Sequence, residues 1–468
     1  MRKTLTLLSC LFSLTAYAQR ETQNWFFGNR GGLTFQGATP VATGAGQLNS
    51  YEACATISDA NGGLLFYTNS VGVWNRNHSS MLGSSTLSGH TSTTQGALIV
   101  PVPGSNSLYY LFSVDACDNL LVGGLNYSLV DMQLQNGLGG IIQPFNRTVA
   151  TPSASGKLTE KLTAIRHANG RDTWVMVHEW LGNGFFAFLV SSTGISNTPV
   201  VSRVGSIHQG GGGDYGNANA VGYMKASTDG SLLGVAVRDA GLELFDFNNA
   251  TGQVTNARRL YTGDTYARTY GVAFSPDNTK LYTTDLSSGV YQYNLASPNP
   301  ASTRQNIGYS SYPTSALLLG PDGRIYVSQH QSSSIGAIAN PNALGSGANY
   351  SSSYLSVGGI CQVGLPNFPN AFATQPLSTA SRKLAEQVTV YPNPAQDVVW
   401  VRLPKNLSKQ SSEVTLFDAL GQQVFQQMVQ VSKGEEGTAV KLTTIPKGLY
   451  TLQISTESGL LSKKLVIE

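Results

Sequence analysis

The chain has 468 residues, of which 51 are glycine and only 12 % are charged, and its formal net charge is +3. Helical surfaces need many charged side chains, so this composition favours strands, turns and loops over helices. The small net charge excludes a strongly basic surface, and we therefore predict no nucleic-acid partner.

The N-terminus has the three parts of a secretory signal peptide. Residues 2–3 are basic, residues 5–14 are mostly apolar, and residues 16–18 form a small-x-small cleavage site. We expect residues 1–18 to be removed, with Ala18 the last of them. The apolar run is too short for a membrane helix, and no later segment reaches about 18 consecutive apolar residues. The sequence thus predicts an exported protein without a transmembrane span.

The cysteines leave two alternatives open. Removal of the signal takes Cys10 away and leaves Cys54, Cys117 and Cys361. In an oxidising compartment, an odd number permits one disulfide and one spare thiol, while three buried unpaired thiols are the other interpretation. No C-x-x-C pair or nearby histidine pair completes a set of four ligands, so we predict neither a metal nor a cofactor.

A repeated pattern runs through residues 24–375, in which two strand-like runs flank a turn built from Asp, Asn and Gly. ATISDANGGLLFYT and VAFSPDNTKLYTT are two examples. Gly and Asn supply the positive φ that tight hairpins need. The turns fall near Asn61, Ser105, Asn169, Asp229, Asp277 and Asp322. A period of roughly 45–60 residues built from short strands is typical of a β-propeller, whereas the rungs of a β-solenoid are about half as long or shorter.

Six units of four strands leave two unpaired pieces. NWFFGNRGGLTFQGATPVATG offers three strands without an inner one, and GGICQVGLPNFPNAF offers one strand. Together they would build a seventh blade and close the ring, which removes exposed sheet edges. The sequence therefore predicts an all-β fold with a seven-bladed propeller, six or eight blades being the alternatives. Closure would bring Cys54 beside the blade that carries Cys361, which makes this pair the candidate disulfide.

The C-terminal part has a different texture. Residues 376–387, PLSTASRKLAEQ, are polar and unpatterned, and we interpret them as a linker. Residues 388–468 contain seven short strand-like runs, which are VTVY, VVWVRLP, EVTLFD, QQVFQQM, TAVKLTT, LYTLQIS and LSKKLVIE. Seven strands in this length predict a small immunoglobulin-like β-sandwich.

Four motifs occur in order in this part: VYPNPA, LFDALGQQV, IPKGLYTLQI and KKLVIE. The set resembles the C-terminal sorting domain of the type IX secretion system of Bacteroidetes-type bacteria. The motif residues are Tyr391, Pro392, Asn393, Pro394, Gly421, Gly448 and Tyr450. The resemblance implies the type IX secretion machinery as a partner, passage through the periplasm, and a secreted or outer-surface location. It also implies removal of the domain, followed by release or anchoring to lipopolysaccharide.

The preceding part carries a resemblance of its own. NWFFGNRGGLTF, GALIVPVPG, ELFDFNNATG and GLPNFPN resemble exported, gliding-motility-associated propellers of the same bacteria. The SPDN turn at residues 275–278 is similar to the SPDG turn of WD-like and YVTN-like propellers. These resemblances imply a fold and a location, with no chemistry attached.

The motifs of common enzymes are missing. The sequence has no G-x-S-x-G, no H-E-x-x-H and no P-loop. HQGGGGDYG, residues 208–216, resembles the His-Gly-Gly-Gly oxyanion loop of esterases, but without a partner serine we interpret it as a loop between blades. DACDN, residues 115–119, has two carboxylates but lacks the ligand run of an EF-hand. We therefore assign no catalytic residue.

In a propeller, the loops from second to third strand and from one blade to the next share one face, where such folds bind ligands. Our strand assignment places on this face Gln95, Glu160, Lys161, His178, Glu179, Trp180, His208, Asn217, Asn219, Asp239, Arg268, Asp285, Tyr312 and His330. We expect non-catalytic binding of an extracellular glycan or protein here, in adhesion or gliding. The alternatives are a polysaccharide lyase or glycosidase that uses His178, His208 or Glu179, and a scaffold without a small ligand.

Some of these residues, and three tryptophans elsewhere in the repeats, can instead have purely structural roles. Glu160 and Lys161 have the sequence of an exposed ion pair, which contributes little to stability. Trp25, Trp74 and Trp174 lie inside strand patterns, and we predict that they are core residues because an aromatic ring in a strand usually packs between sheets.

Overall fold

A computed structural model describes residues 20–37, 39–44, 46–213, 215–263, 268–370, 389–402, 411–417, 423–430, 438–443, 445–456 and 459–468. The chain divides into two compact units at Gln375–Pro376. The predicted cleavage at Ala18 and the predicted linker lie outside the described residues. Within those residues, no helix combines the length and apolar character that a membrane span needs.

In the described part of the first unit, seven antiparallel sheets follow one another along the chain. Sheet 1 contains β1 (Asn24–Phe27), β2 (Gly31–Thr34) and β3 (Val41–Ala42). Sheet 2 contains β4 (Ala55–Ser58), β5 (Leu64–Thr68) and β6 (Val73–Asn75). Sheet 3 contains β7 (Ala97–Pro101), β8 (Leu108–Val114), β9 (Leu125–Asp131) and β10 (Gly140–Val149).

Sheets 4 and 5 contain β11 (Leu158–Arg166), β12 (Thr173–Glu179), β13 (Gly182–Ser191), β14 (Gly194–Ile195) and β15 (Val200–His208); and β16 (Met224–Ala226), β17 (Leu232–Val237), β18 (Gly241–Asn248) and β19 (Gln253–Thr262). Sheets 6 and 7 contain β20 (Val272–Phe274), β21 (Lys280–Thr284), β22 (Gly289–Asn294) and β23 (Gln305–Tyr309); and β24 (Thr314–Leu319), β25 (Ile325–Gln329), β26 (Ser334–Ile338) and β27 (Tyr350–Ser356). The helical segments described are single turns at Ser84–Thr86, Cys117–Asn119, Leu134–Gly137, Ala218–Ala220, Pro300–Thr303 and Gly345–Ala348.

The six predicted turns are confirmed as the connections between the first two strands of sheets 2 to 7. Short polar side chains close them. In the sheet 6 turn, Asp277 accepts hydrogen bonds from the Ser275 hydroxyl (2.6 Å) and the Thr279 amide (3.0 Å). Asp59 accepts the amides of Asn61 and Gly63 in the same way in sheet 2. Such side chain to backbone bonds explain why Asp, Asn and Ser recur at this point of each repeat.

The ends of the first unit meet, but not through the predicted inner strand. Asn29 and Ile360 exchange two backbone hydrogen bonds of 2.8 and 2.9 Å, which form an isolated bridge. Beyond Ile360, no strand is described up to residue 370, so the prediction of an inner strand in GGICQVGLPNFPNAF is wrong. Pro366 and Pro369 lack the amide donors that a regular ladder needs. Sheet 2 also has three strands instead of the predicted four.

Residues 361–370, which we call the axial segment, bond instead to several sheets in turn. The Asn367 amide donates to the Cys54 carbonyl (2.9 Å), next to β4. Its side-chain nitrogen donates to the carbonyls of Ala97 in β7 (3.2 Å) and Leu162 in β11 (2.8 Å), and its side-chain oxygen accepts from Lys225 in β16 (2.8 Å). The first strands of sheets 3 to 5 therefore converge on the buried side chain of Asn367, and its backbone amide bonds to the residue before the first strand of sheet 2.

Large apolar side chains fill the space between neighbouring sheets, and this is where the predicted tryptophans lie. Trp25 and Trp174 are buried. Trp74 is half-buried and stacks on Tyr67 with ring centroids 5.5 Å apart. The prediction that these rings belong to the core is confirmed for Trp25 and Trp174 and holds in part for Trp74.

The second unit contains all seven predicted strands. They are β28 (Thr389–Tyr391), β29 (Val398–Arg402), β30 (Ser411–Phe417), β31 (Gln423–Gln430), β32 (Thr438–Lys441), β33 (Gly448–Thr456) and β34 (Gly459–Ile467). One antiparallel sheet has the order β28-β29-β32 and the other β31-β30-β33-β34. Val399 and Val440 from the first sheet share a hydrophobic core with Leu416 and Leu452 from the second.

The motifs at the two ends of this unit lie side by side. The Ala395 amide donates to the Val466 carbonyl (2.8 Å), and the Val466 amide donates to the Asn393 side chain (2.9 Å). The Tyr450 hydroxyl donates to the Pro446 carbonyl (2.7 Å) and fixes the turn before Gly448. Gly421 lies outside the described residues.

We expect Asn367→Ala to lower the free energy of unfolding by about 2–4 kcal/mol, because it leaves two buried carbonyls and the Lys225 amine without their partner. Denaturant unfolding of Asn367→Ala and of Asn299→Ala, whose side chain is exposed, measures this difference. Equal stability of the two variants would contradict a joining role for Asn367.

Candidate binding site on the connection face

One side of the first unit carries the turns between second and third strands together with the connections from one sheet to the next. Hydrogen bonds join the two kinds of segment. The Leu181 amide donates to His208 (2.9 Å), Thr269 donates to the Arg238 carbonyl (2.8 Å), and His330 donates to Pro313 (2.9 Å). We call this side the connection face, and the side with the first hairpins the hairpin face.

All the predicted site residues lie in these connections or at the strand ends beside them, but their exposure differs. Seven are buried, namely Gln95, Glu160, Lys161, His178, Glu179, Trp180 and His208. Asn217, Asn219, Asp239, Asp285 and His330 are half-buried, and Arg268 and Tyr312 are exposed. Half of the predicted set is therefore turned inward, where it supports the face instead of lining it.

Glu160 and Lys161 are not the exposed ion pair that the sequence suggests. Both are buried, at an irregularity of the β11–β12 pairing between Leu158 and Leu162, and each bonds to a different neighbouring sheet. Glu160 accepts from the Thr94 hydroxyl (2.7 Å) and the Cys117 amide (2.7 Å) of sheet 3 and its connection. The Lys161 amine donates to the carbonyls of Ala220 (2.9 Å) and Val221 (3.1 Å), which lead into sheet 5.

His178 and His208 form a buried stacked pair whose ring centroids are 3.7 Å apart. Burial, together with the nearby Lys161 charge, lowers the pKa of His178 to about 3. Burial and the neighbouring His178 lower the pKa of His208 well below its ordinary value. Both rings are therefore neutral at physiological pH. His330 does not join them; its ring packs against Tyr51 at 5.3 Å instead.

The candidate acid Glu179 is also committed to structure. Its carboxylate accepts the Ala154 amide (2.7 Å) and pairs with the Arg203 guanidinium (2.7 Å). Asn217 donates to the Cys117 carbonyl (3.1 Å), so it ties two connections of the face together. Glu179 and Asn217 are therefore used in bonds within the protein, whereas the buried atoms His178 Nε2 and His208 Nδ1 have no hydrogen-bond partner among the described residues.

The predicted Cys54–Cys361 disulfide is wrong, because Cys54, Cys117 and Cys361 are all buried free thiols. The thiol of Cys361 faces the Ser334 carbonyl in sheet 7 (3.6 Å). Burial raises the pKa values of all three thiols, which makes them poor nucleophiles. Among the described residues, no group of three or more His, Cys, Asp or Glu side chains could hold a metal ion.

A buried carboxyl that the sequence did not single out lies in the connection before β4. The Tyr270 hydroxyl donates to Glu52 at 3.0 Å. Burial, followed by the negative charge of Glu160, raises the pKa of Glu52 well above its ordinary value, while Arg238 acts in the opposite direction. Glu52 precedes β4 much as Gln95 precedes β7. A comparison of the equivalent connections in successive repeats could therefore have identified Glu52 from the sequence.

Unpartnered polar atoms accompany Glu52 on this face. In the described part of the chain, the buried atoms Arg238 Nε, Asp239 Oδ1 and His330 Nδ1 have no hydrogen-bond partner. Arg238 Nε lies 3.8 Å from Asp239 Oδ1, too far for a hydrogen bond, and the Asp239 side chain is only 6 % exposed. Arg238 acts electrostatically on both Tyr51 and Glu52, which places these side chains in one neighbourhood.

Comparison with known proteins identifies the second unit. Residues 389–468 match the family described as the secretion system C-terminal sorting domain. This part of the chain is therefore a type IX secretion C-terminal sorting domain, and the protein is exported to the cell surface or secreted. No curated protein matches the chain.

Solved structures are similar at a low level. The structure of a putative 6-phosphogluconolactonase from Bacteroides uniformis has 13 % identity and a TM-score of 0.38, over 81 % of this chain and 96 % of the other. The corresponding Bacteroides fragilis structure has 12 % identity and a TM-score of 0.37, over 67 % and 96 %. The periplasmic gluconolactonase of Pseudomonas aeruginosa has 13 % identity and a TM-score of 0.35, over 77 % and 90 %. Likenesses of this size say nothing about activity.

We expect Glu52→Gln to stabilise the protein at pH 8 and to leave its stability nearly unchanged at pH 4. The folded-state pKa of Glu52 lies above its unfolded value, so burial of the carboxyl is favourable only while it is protonated, and that benefit is lost as pH rises. The amide mimics the protonated acid and can still accept from Tyr270. Denaturant unfolding at both pH values tests this, and equal shifts at both would contradict it.

We expect deletion of residues 388–468 to leave the protein in the periplasm, because the segment recognised for outer-membrane passage is gone. Cell fractionation with antibody detection of the first unit measures the outcome. Normal surface display of the truncated chain would contradict the sorting role.

Proposed function

We propose that this exported protein binds an extracellular glycan, without turnover, on the connection face of a seven-bladed β-propeller formed by residues 24–375. Seven successive antiparallel sheets and the Asn29–Ile360 bridge between its two ends support the propeller and its blade number. Large apolar side chains between successive sheets are what blade packing requires.

The observation that carries the binding proposal is the group of unpartnered atoms of Arg238, Asp239 and His330. Leaving a buried polar atom unpaired costs about 1–3 kcal/mol, so such atoms call for a partner from outside the chain. A sugar offers both hydroxyl donors and hydroxyl acceptors, and it can therefore satisfy an Nε–H donor and a carboxylate acceptor that lie close together.

Exposed aromatic rings on the same side give a glycan surfaces against which to stack. Tyr51, Tyr215 and Tyr312 lie in connections between sheets and are 46 %, 57 % and 44 % exposed. Tyrosine combines a flat apolar face with a polar tip, which suits stacking against a sugar ring. On this proposal, an exported protein that binds a glycan at the cell surface would act in adhesion or gliding.

The second candidate function is cleavage of a polysaccharide. The specific observation is Glu52, a buried carboxyl with a raised pKa that senses the charge of a second carboxyl, Glu160. A carboxylic acid kept protonated near neutral pH can act as a general acid. Glu160 itself is fully engaged with Thr94 and Cys117, which weighs against a working pair.

For the second unit, two sheets that share one core support an immunoglobulin-like sandwich. Its proposed fate is recognition by the type IX secretion machinery, then removal, with the first unit released or anchored to lipopolysaccharide.

We expect the protein to bind at least one glycan of an array of bacterial and host polysaccharides, and Arg238→Ala to weaken that binding roughly ten- to a hundredfold, the value of one or two charged hydrogen bonds. Arg171→Ala is the matched control, because Arg171 is 65 % exposed in a hairpin-face turn. Titration of each variant with the glycan found on the array gives the affinities.

If the protein bound no glycan on the array, glycan binding would be contradicted. A pull-down of partner proteins would then test the protein alternative. Equal weakening by Arg171→Ala would exclude the connection face. Release of reducing ends or unsaturated products from the same polysaccharides, lost in Glu52→Gln, would favour the enzyme.

A further inference from the structure

A partly open cavity lies away from the connection face, in the first unit. It forms where the first strands and hairpins of sheets 5 to 7 meet the end of the axial segment. Its lining is mainly apolar and includes Phe274, Leu317, Pro321 and Phe368. A mainly apolar lining with few polar groups is typical of sites that hold a small organic molecule.

Lys225 is the one charged residue among the described residues that line this cavity. Its amine donates to Asn367 Oδ1 at 2.8 Å, and the described ion pairs do not include it. An ammonium group has three donors, so one neutral acceptor leaves it short of partners. Burial lowers the pKa of Lys225 to about 7, which reflects the cost of holding this charge away from water.

The groups that face the Lys225 amine do not neutralise it. The Cys54 thiol has a pKa raised to well beyond physiological pH by burial, and burial also raises that of Tyr223, whose ring centroid lies 5.8 Å from the amine. Both side chains stay uncharged near neutral pH, and Asn367 is neutral at any pH. An anion that enters the cavity would therefore meet a positive charge with no competing carboxylate among the described contacts.

We propose that this cavity binds a small anionic amphiphile, an apolar body with one carboxylate, whose head group pairs with the Lys225 ammonium. The apolar lining removes the hydrocarbon part from water, and the carboxylate supplies the acceptors that the ammonium lacks. The site is independent of glycan binding, since it is lined by Thr22, by residues of sheets 4 to 7 with their first hairpins, and by the axial segment, away from the connections.

Titration calorimetry of the full-length protein with dodecanoate, kept below its micelle concentration, tests the proposal. We expect saturable binding at one site, at pH 6, that weakens more than tenfold at pH 9. The protonated fraction of Lys225 falls across this interval because its pKa is about 7, whereas dodecanoate stays ionised. Dodecan-1-ol, which has the same chain and no charge, should bind more weakly at pH 6 and show no pH dependence.

Lys225→Met keeps an unbranched side chain of similar length and removes the charge, and we expect it to weaken dodecanoate binding more than tenfold without changing dodecan-1-ol binding. Arg166→Met, at the exposed end of β11, removes the same charge outside the cavity and should bind like the parent protein. No saturable binding, or equal dodecanoate affinity at pH 6 and pH 9, would overturn the proposal even if Lys225→Met does not fold.

Discussion

The first unit depends on the hydrogen bonds made by Asn367. The first strand of each sheet has a free edge, and free edges carry backbone groups that need partners. One amide side chain serves Ala97, Leu162 and Lys225 at once, from three different sheets. With only 12 % of its residues charged, the chain relies on such neutral bonds, since each buried polar atom left unpaired costs about as much as a hydrogen bond is worth.

Local patterns were sufficient to predict the six turns and most of the strands. The Asp, Asn and Gly turns and the seven strands of the sorting domain depend on neighbours a few residues away, which a sequence displays directly. The failures share a different cause. The path of residues 361–370, the free thiol of Cys361 and the inward direction of Glu160 and Lys161 are decided by partners far along the chain. Glu52 and Lys225 were missed for the same reason, because their chemistry comes from burial and not from a motif.

The two candidate sites differ in the kind of ligand that their surroundings favour. Arg238, Asp239 and the exposed tyrosines offer polar atoms and flat rings to a molecule rich in hydroxyls. The cavity around Lys225 offers an apolar wall with one positive charge. Both touch the axial segment, because Val363 donates to the Tyr51 carbonyl (2.8 Å) near one end and Asn367 accepts from Lys225 near the other.

The position of the axial segment in the chain has a consequence for protease processing. Asn370 still bonds to Arg166 (2.7 Å) and to the Ser227 carbonyl (3.0 Å), so the first unit needs its chain intact as far as this residue. A cut within the axial segment, upstream of Asn370, would remove hydrogen bonds that join the sheets of the first unit. A cut between Asn370 and Thr389 would separate the sorting domain and leave the first unit intact. A maturation protease that frees this cargo in a folded state has only that short interval in which to act.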